Sequence, residues 1–205
     1  MKRSPAGALA VLLLLPVACT ADDDLPHGVS ALKPACEGIL DSVSLAEAAK
    51  STEIDRVRSP SDPKISYASA VKELKWNMVE VCNVPFEDNP TSESPALSIQ
   101  FDVSDGSLYP REERRSTSGY DAYGLKNGMQ AVSDGYSSTI LFPCTPKGAS
   151  SSINVTGTIE NDLNLTVRSL FRAVFRASEK MIAALKCENK IFLPNVATMK
   201  PFPEG

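Results

Sequence analysis

Five cysteines and one histidine limit the chemistry of this chain more than any other residues. His27 precedes the patterned part of the chain, which excludes histidine-containing catalytic triads and histidine zinc sites from the domain that we predict. The cysteines of that domain are expected to be oxidised, which removes thiolate nucleophiles. The sequence contains no dinucleotide-binding fingerprint, phosphate-binding loop or nucleophile elbow. We therefore assign no catalytic residue, no metal ligand and no cofactor.

The acidic residues are the remaining candidates for catalysis. Glycosidases place two carboxyl groups roughly 5 to 9.5 Å apart across the scissile bond. Acids lie near one another in the middle of this sequence: Asp102, Asp105, Glu112, Glu113 and Asp121. Acids in a polar segment are usually only solvated, so a histidine-independent hydrolase of cell-wall polysaccharide is kept as the alternative hypothesis.

The N-terminus has the pattern of a secretory signal. Lys2 and Arg3 supply the positive charge, and an apolar stretch follows at 6–17. That stretch is shorter than the roughly 20 residues that a membrane-spanning helix requires. We therefore predict a signal peptide at 1–18 and export of the chain.

The end of the signal resembles the lipobox of bacterial lipoproteins. In a lipobox, small residues precede a cysteine that is diacylated and becomes the first residue of the mature protein, as Val17 and Ala18 precede Cys19 here. Pro16 departs from the leucine-like residue that is usual at its position. The resemblance implies lipidation of Cys19. The alternative is an ordinary signal cleaved after Ala21, with Cys19 discarded.

The charge and composition of the mature chain set its domain organisation. Residues 19–35 are polar, acidic and interrupted by Pro26, Gly28 and Pro34, which predicts a disordered tether. Residues 36–205 have the size of a single domain. The formal net charge is −4 for the full sequence and −6 once Lys2 and Arg3 are removed with the signal, which argues against nucleic acid as a partner, because phosphate binding requires a basic surface.

Cysteines remain in the predicted domain at four positions: Cys36, Cys82, Cys144 and Cys187. An even number in an exported chain indicates two disulfides, and no two of the four are spaced closely enough to suggest a metal site. Three pairings exist. We favour Cys82–Cys144, which would join two strand-like segments, and Cys36–Cys187, which would tie the start of the fold to its end.

Patterns of helix and strand follow one another along the domain. Ser44 and Glu47 have the spacing of a capping box and predict a short helix, and a second short helix is expected at 66–76. The clearest strand pattern is the alternation of apolar and polar residues at 96–104. Extended segments are predicted at 77–86, 96–104, 136–144, 151–160 and, as a final edge strand, 190–194.

A long helix is predicted near the C-terminus. Asn161 or Asp162 would cap it, and apolar residues recur at spacings of three and four from Leu163 to Leu185. A basic row, interpreted as a solvated helix face, lies on its other side: Arg168, Arg172, Arg176 and Lys180. The order of elements predicts an α+β fold, with an antiparallel sheet of three to five strands packed against the long C-terminal helix and short N-terminal helices.

Residues 104–130 are polar and rich in glycine, and we interpret them as a long loop. Tyrosines and arginines in this segment form a candidate recognition surface: Tyr109, Arg111, Arg114, Arg115, Tyr120 and Tyr123. The alternative is that the tyrosines pack the loop onto the sheet.

The layout as a whole resembles small actinomycete cell-envelope lipoproteins of unknown function. The resemblance rests on the export signal, the segments "CEGIL", "VEVCNV" and "ILFPC", and the C-terminal helix that ends at Cys187. It implies an exported, disulfide-bonded α+β domain and supplies no site residues. We expect a lipoprotein on the outer face of the cell membrane, or a secreted soluble protein as the alternative. We expect it to bind an envelope protein or a small ligand rather than nucleic acid.

Overall fold

A computed structural model describes residues 26–60, 66–74, 78–88, 95–104, 106–108 and 119–202. The signal, Cys19 and the first part of the expected tether lie outside the described residues. The helices are α1 His27–Leu32, α2 Ser42–Ala48, α3 Tyr67–Glu73 and α4 Val167–Leu185. The strands are β1 Val79–Val84, β2 Leu97–Ser104, β3 Asp121–Gly124, β4 Gln130–Ser133, β5 Ser137–Cys144 and β6 Ile153–Asn161. Short 3₁₀ turns occur at Ala35–Glu37, Ile54–Arg56 and Val196–Thr198.

In the described part of the chain, six strands form one antiparallel sheet in the order β1-β2-β6-β5-β4-β3. Helix α4 packs on β5 and β6, while α3 packs against α4 and β1. This arrangement confirms the α+β class and the packing of the sheet against the C-terminal helix. The expected number of strands was too low, because β3 and the start of β4 lie within the segment interpreted as a loop.

The face of the sheet that α4 covers is apolar, and the alternation along β2 produces it. Ile99 and Phe101 in β2 are fully buried, whereas Gln100 and Asp102 belong to the opposite face. Gly157 in β6 lies opposite Phe101, and a Cβ at Gly157 would approach the Phe101 ring to 2.6 Å. The missing side chain therefore makes room for the largest residue of this part of the core.

The caps of two helices differ from the sequence predictions. Thr166, not Asn161 or Asp162, caps α4, and its hydroxyl accepts from the Ser169 N–H. Asn161 instead accepts from two backbone N–H groups in the connection that precedes α4. The cap of α2 is Asp41 rather than Ser44.

Residues 26–35 were expected to belong to the tether, and that expectation was wrong. They form α1 and the turn that follows it, and Val29 and Leu32 are almost completely buried. Val29, Leu32 and Ala35 recur at a spacing of three, which gives this short segment one apolar face. Burial of that face outweighs the effect of the flanking prolines.

The disulfides are Cys36–Cys82 and Cys144–Cys187, with Cα–Cα distances of 5.1 and 5.3 Å. All four cysteines of the domain are therefore paired, but both predicted pairings were wrong. Strands β1 and β5 are separated by β2 and β6. Three steps of about 4.8 Å put Cys82 and Cys144 well beyond the reach of a disulfide.

The predicted strand at 190–194 is absent, and these described residues have no regular secondary structure. No helix in the described ranges is long and apolar enough to cross a membrane.

Candidate functional site

The chain after α4 forms a strap, which we define as residues 187–202. The Cys144–Cys187 disulfide fastens its start to the end of β5. Asn189 adds a second attachment, because its Oδ1 accepts from the Thr145 N–H at 2.7 Å and its Nδ2 donates to the Pro143 carbonyl at 2.8 Å. The first residues of the strap are therefore fixed in position by a covalent bond and by side-chain hydrogen bonds.

The far end of the strap is attached to the edge strand β3. The Phe202 N–H donates to the Ala122 carbonyl at 2.8 Å. The Phe202 ring lies over Gly124, where a Cβ would collide with it. Between the two ends, Val196 is buried in the core against α4. The strap thereby covers part of the open edge of the sheet.

A cavity of about 570 Å³ lies between the strap and the β3–β4 hairpin. On the hairpin side, Tyr123 and Met129 are buried. On the strap side, Leu193 and Met199 are half-buried, and Phe192 is 68 % exposed. The lining is thus of mixed polarity, with apolar side chains on both walls, and the volume of the cavity lies within the range of small-molecule sites.

The charge of this cavity is positive. Lys126 on the hairpin and Lys200 on the strap both line it, and no aspartate or glutamate is among the described residues of its lining. Neither lysine forms an ion pair within the described part of the chain. Two cations beside an apolar space are suited to binding an anion that carries an apolar group.

A second cavity, of about 320 Å³, lies beside the other disulfide. Its lining includes Cys36, Cys82 and Glu37, together with Ser59 and Asn83, and none of its described residues is a lysine or an arginine. Glu37 Oε2 lies 3.0 Å from Lys180 Nζ on α4, so its charge is already paired. This cavity therefore lacks the cations that distinguish the one beneath the strap.

The two described residues of the predicted recognition surface, Tyr120 and Tyr123, differ in their exposure to solvent. Tyr120 is half exposed. Tyr123 is buried, and its ring packs edge-on against Phe171 of α4 with the ring centroids 5.0 Å apart. Burial, with a smaller effect from Asp121, raises the pKa of Tyr123. Tyr123 is thus part of the core, which agrees with the alternative that the tyrosines pack this segment onto the sheet.

The other members of that surface, Tyr109, Arg111, Arg114 and Arg115, lie outside the described residues. The described start of the same segment contacts β4. The Ser107 hydroxyl and the Leu108 N–H each donate to Gln130 Oε1 at 2.7 Å. At this point the segment packs against the sheet.

The acidic residues considered for hydrolysis are not brought together where the structure describes them. Asp102 is on β2 and Asp121 is on β3, four positions apart in the sheet. At about 4.8 Å per strand the separation is about 19 Å, twice the largest spacing of a glycosidase pair. Asp105, Glu112 and Glu113 lie outside the described residues. The ranges that are described hold no group of three or more histidine, cysteine or acidic side chains placed to bind a metal ion.

The basic row of α4 is not a purely solvated face. Arg172 Nε lies 3.2 Å from Asp41 Oδ2, and Arg176 donates to the Ile39 carbonyl at 3.4 Å. Lys180 pairs with Glu37, as described above. These contacts attach the N-terminal segment to α4, so the row holds two parts of the fold together.

Two carboxyl groups of that N-terminal segment have lowered pKa values. Partial burial alone would raise the pKa of Asp41. Hydrogen bonds from Ser44 and the guanidinium of Arg172 together have a larger, opposite effect, so the pKa lies below its usual value. For Glu47, burial likewise raises the pKa, and hydrogen bonds from Ser169 and Thr166 reverse the shift. Both groups are therefore more stable in their charged form in the folded chain.

Sequence reasoning missed the cavity beneath the strap because its two walls lie far apart in the chain. One local signal was present. Asn127 and Gly128 have φ angles of 60° and 78°, and Asn-Gly at such positions is typical of the turn of a β-hairpin. That turn carries Lys126 to the cavity.

Comparison with models of known protein families, with curated protein sequences and with solved structures finds no significant match.

Proposed function

We propose that this protein is an exported lipoprotein, attached to the outer face of the cell membrane through Cys19, whose folded domain binds a small ligand or an envelope protein. Two disulfides are typical of an oxidising, extracytoplasmic environment. They use four of the five cysteines and leave Cys19 for the lipid. The acyl chains of a lipoprotein would hold the chain at the membrane, since each buried methylene contributes about 0.8 kcal/mol.

The observation that carries the binding role is the cavity beneath the strap. It is large enough for a small organic molecule, it is lined by apolar side chains from both walls, and it contains two lysines that have no acidic partner among the described residues. The alternative role as a polysaccharide hydrolase loses support from Asp102 and Asp121, the two candidate acids that the structure describes, because they lie far apart in the sheet. The net negative charge argues against a nucleic-acid partner. The layout of actinomycete envelope lipoproteins agrees with this proposal.

Mass spectrometry of the mature N-terminus tests the anchor. The full chain is produced in a bacterial host with a lipoprotein pathway, and the membrane fraction is digested. We expect the first peptide to begin at Cys19 and to carry acyl groups, and we expect Cys19→Ala to release the chain from the membrane. A mature chain that begins at Asp22 in the soluble fraction would mean that the protein is secreted without a lipid anchor.

Crosslinking tests the recognition surface independently of the cavity. Deletion of the whole segment would remove β3, so point variants are required. If the segment binds an envelope protein, the combined variant R111Q/R114Q/R115Q/Y120A captures less of that protein than the native chain does. Tyr136→Ala is the matched control, because Tyr136 is similarly exposed and lies outside the segment. Equal capture by both variants would remove these residues from the binding role.

A further inference from the structure

We infer that the cavity beneath the strap binds a small organic anion with an apolar body, of the chemical class of a medium-chain carboxylate. This inference rests on the binding role proposed above and adds the chemistry of the ligand. Its basis is the juxtaposition of Lys126 and Lys200 with the apolar side chains of the strap and the hairpin.

The sign of the charge in the cavity is opposite to that of the whole chain. The formal net charge is −4, yet the described residues that line the cavity include two lysines and no aspartate or glutamate that could neutralise them. Lysine ammonium groups that have no partner in the fold are available to pair with a carboxylate or phosphate of a ligand. Charge complementarity therefore favours an anion over a neutral or cationic ligand.

The remaining lining is suited to an aliphatic or small aromatic group. Met129 and Met199 have flexible side chains that adapt to ligands of different shapes. Phe192 is 68 % exposed, and a ligand packed against it would remove apolar surface from water. One molecule would thus contact the two lysines with its charged end and the methionines and Phe192 with its apolar end.

The attachment of the strap favours a small molecule over a peptide. The strap is held covalently at Cys187 and by a backbone hydrogen bond at Phe202. The Ala122 carbonyl at the edge of β3 is already occupied by the Phe202 N–H, which opposes the addition of a partner strand at that point. The space between hairpin and strap is therefore the part of this region that a ligand can enter.

Calorimetric titration with octanoate tests the inference. The protein is the secreted full chain with Cys19→Ser, so that no acyl group of its own competes. Octanol has the same apolar body without the charge, and acetate has the charge without the apolar body. We expect saturable binding of octanoate, binding of octanol that is about fivefold to tenfold weaker, and no measurable binding of acetate.

Variants test the lysines and the apolar part of the site separately. K126Q/K200Q should reduce the affinity for octanoate to that for octanol and leave octanol binding unchanged. K50Q/K147Q is the matched control, because it removes the same charge from two exposed lysines outside the cavity and should change neither affinity. Phe192→Ala should weaken both ligands by a similar factor. Because these side chains are exposed, the variants are expected to fold, which circular dichroism checks.

Several results would overturn the inference: no binding of octanoate, an affinity for octanoate that K126Q/K200Q leaves unchanged, or adsorption to phosphatidylglycerol vesicles without binding of soluble octanoate. The last result would mean that the lysines bind the headgroups of a lipid surface rather than a free anion. The test is independent of the proposed anchor. Failure with octanoate leaves an acylated Cys19 unaffected, and an unmodified N-terminus leaves octanoate binding unaffected.

Discussion

The two ends of the domain are each attached to the sheet by one disulfide, but they differ in how much apolar surface they leave exposed to solvent. The N-terminal segment, 26–57, is attached at β1 through Cys36, and the strap is attached at β5 through Cys187. The N-terminal segment buries most of its apolar residues in the core, although Val43 is exposed, and it lines the smaller cavity beside Cys36–Cys82. The strap buries Val196 but leaves Phe192 in solvent and a cavity beneath it.

The two ends also differ in whether their charged side chains form ion pairs within the fold. In the N-terminal segment, Glu37 and Asp41 are paired with Lys180 and Arg172 of α4. In the strap cavity, the lysines have no such partners among the described residues. Charges that are paired within the fold attach one element to another, whereas unpaired charges beside an apolar cavity are available to a ligand. The comparison therefore assigns a structural role to one end and a binding role to the other.

The largest expected effect comes from removing the disulfides. They close loops of 46 and 43 residues. In the chain-entropy model, C36S/C82S and C144S/C187S should each lower the free energy of unfolding by about 4 kcal/mol, measured by urea denaturation. Only C144S/C187S should also weaken octanoate binding, because it releases the strap. Loss of binding in C36S/C82S alone would reverse the roles assigned to the two ends.

Truncation of one apolar residue at each end gives the next largest difference. Leu32 is fully buried, so Leu32→Ala should cost about 2–5 kcal/mol of stability. Phe192→Ala should change stability by less than about 0.5 kcal/mol, because most of the ring is exposed. Thermal and urea unfolding of both variants measure this contrast. A large loss of stability in Phe192→Ala would mean that the ring serves the fold rather than a ligand.

Loss of the cap of α2 should have an intermediate effect. Asp41→Ala removes the acceptor for the Ser44 N–H and the partner of Arg172, and should cost about 1–2 kcal/mol. Asp41→Asn is the matched control, because asparagine also caps helices but carries no charge. Equal losses of stability in both variants would assign the effect to the ion pair rather than to the cap.

The lowered pKa values of Asp41 and Glu47 predict a pH dependence of stability. As the pH falls below about 5, the unfolded chain takes up protons at these positions before the folded chain does. Asp41 and Glu47 therefore make their full contribution to the free energy of unfolding above pH 5, and this contribution is lost as the pH falls through their pKa values in the folded chain. In D41N/E47Q, the free energy of unfolding should fall less steeply between pH 5 and 3 than in the native chain, measured by urea denaturation at each pH. An unchanged slope would show that other groups cause the dependence.

The smallest effect is expected from the exposed pair of Lys180 and Glu37. Both side chains are more than one-third exposed, so Lys180→Gln should cost less than about 1 kcal/mol. High salt should reduce the difference from the native chain further. A cost above 2 kcal/mol in urea denaturation would mean that this contact contributes more to attaching the N-terminal segment than its exposure indicates.

Local patterns predicted the long elements of the fold and the short helices α2 and α3, and they failed at α1, β3 and β4. The alternation in β2 and the apolar spacing in α4 extend over eight and nineteen residues, which is long enough for a period to be recognised. Strands β3 and β4 have four residues each, too few to show alternation, although Asn127-Gly128 marks the turn between them.

The disulfide pairing and the cavity depend on contacts that no local pattern encodes. The pairing follows from the order of strands in the sheet, which separates Cys82 from Cys144. The cavity forms because Gly124 admits the Phe202 ring and thereby allows the strap to attach to β3. Residues nearly eighty positions apart must meet before Lys126 and Lys200 line one space.

Amide hydrogen exchange with and without octanoate tests the contrast between the two ends most directly. We expect octanoate to slow exchange at 123–129 in the hairpin and at 192–200 in the strap. We expect exchange at 29–37 and 79–84, around the other disulfide, to stay unchanged. Slower exchange around Cys36–Cys82, or no change anywhere at saturating octanoate, would contradict the assignment of the binding role to the strap.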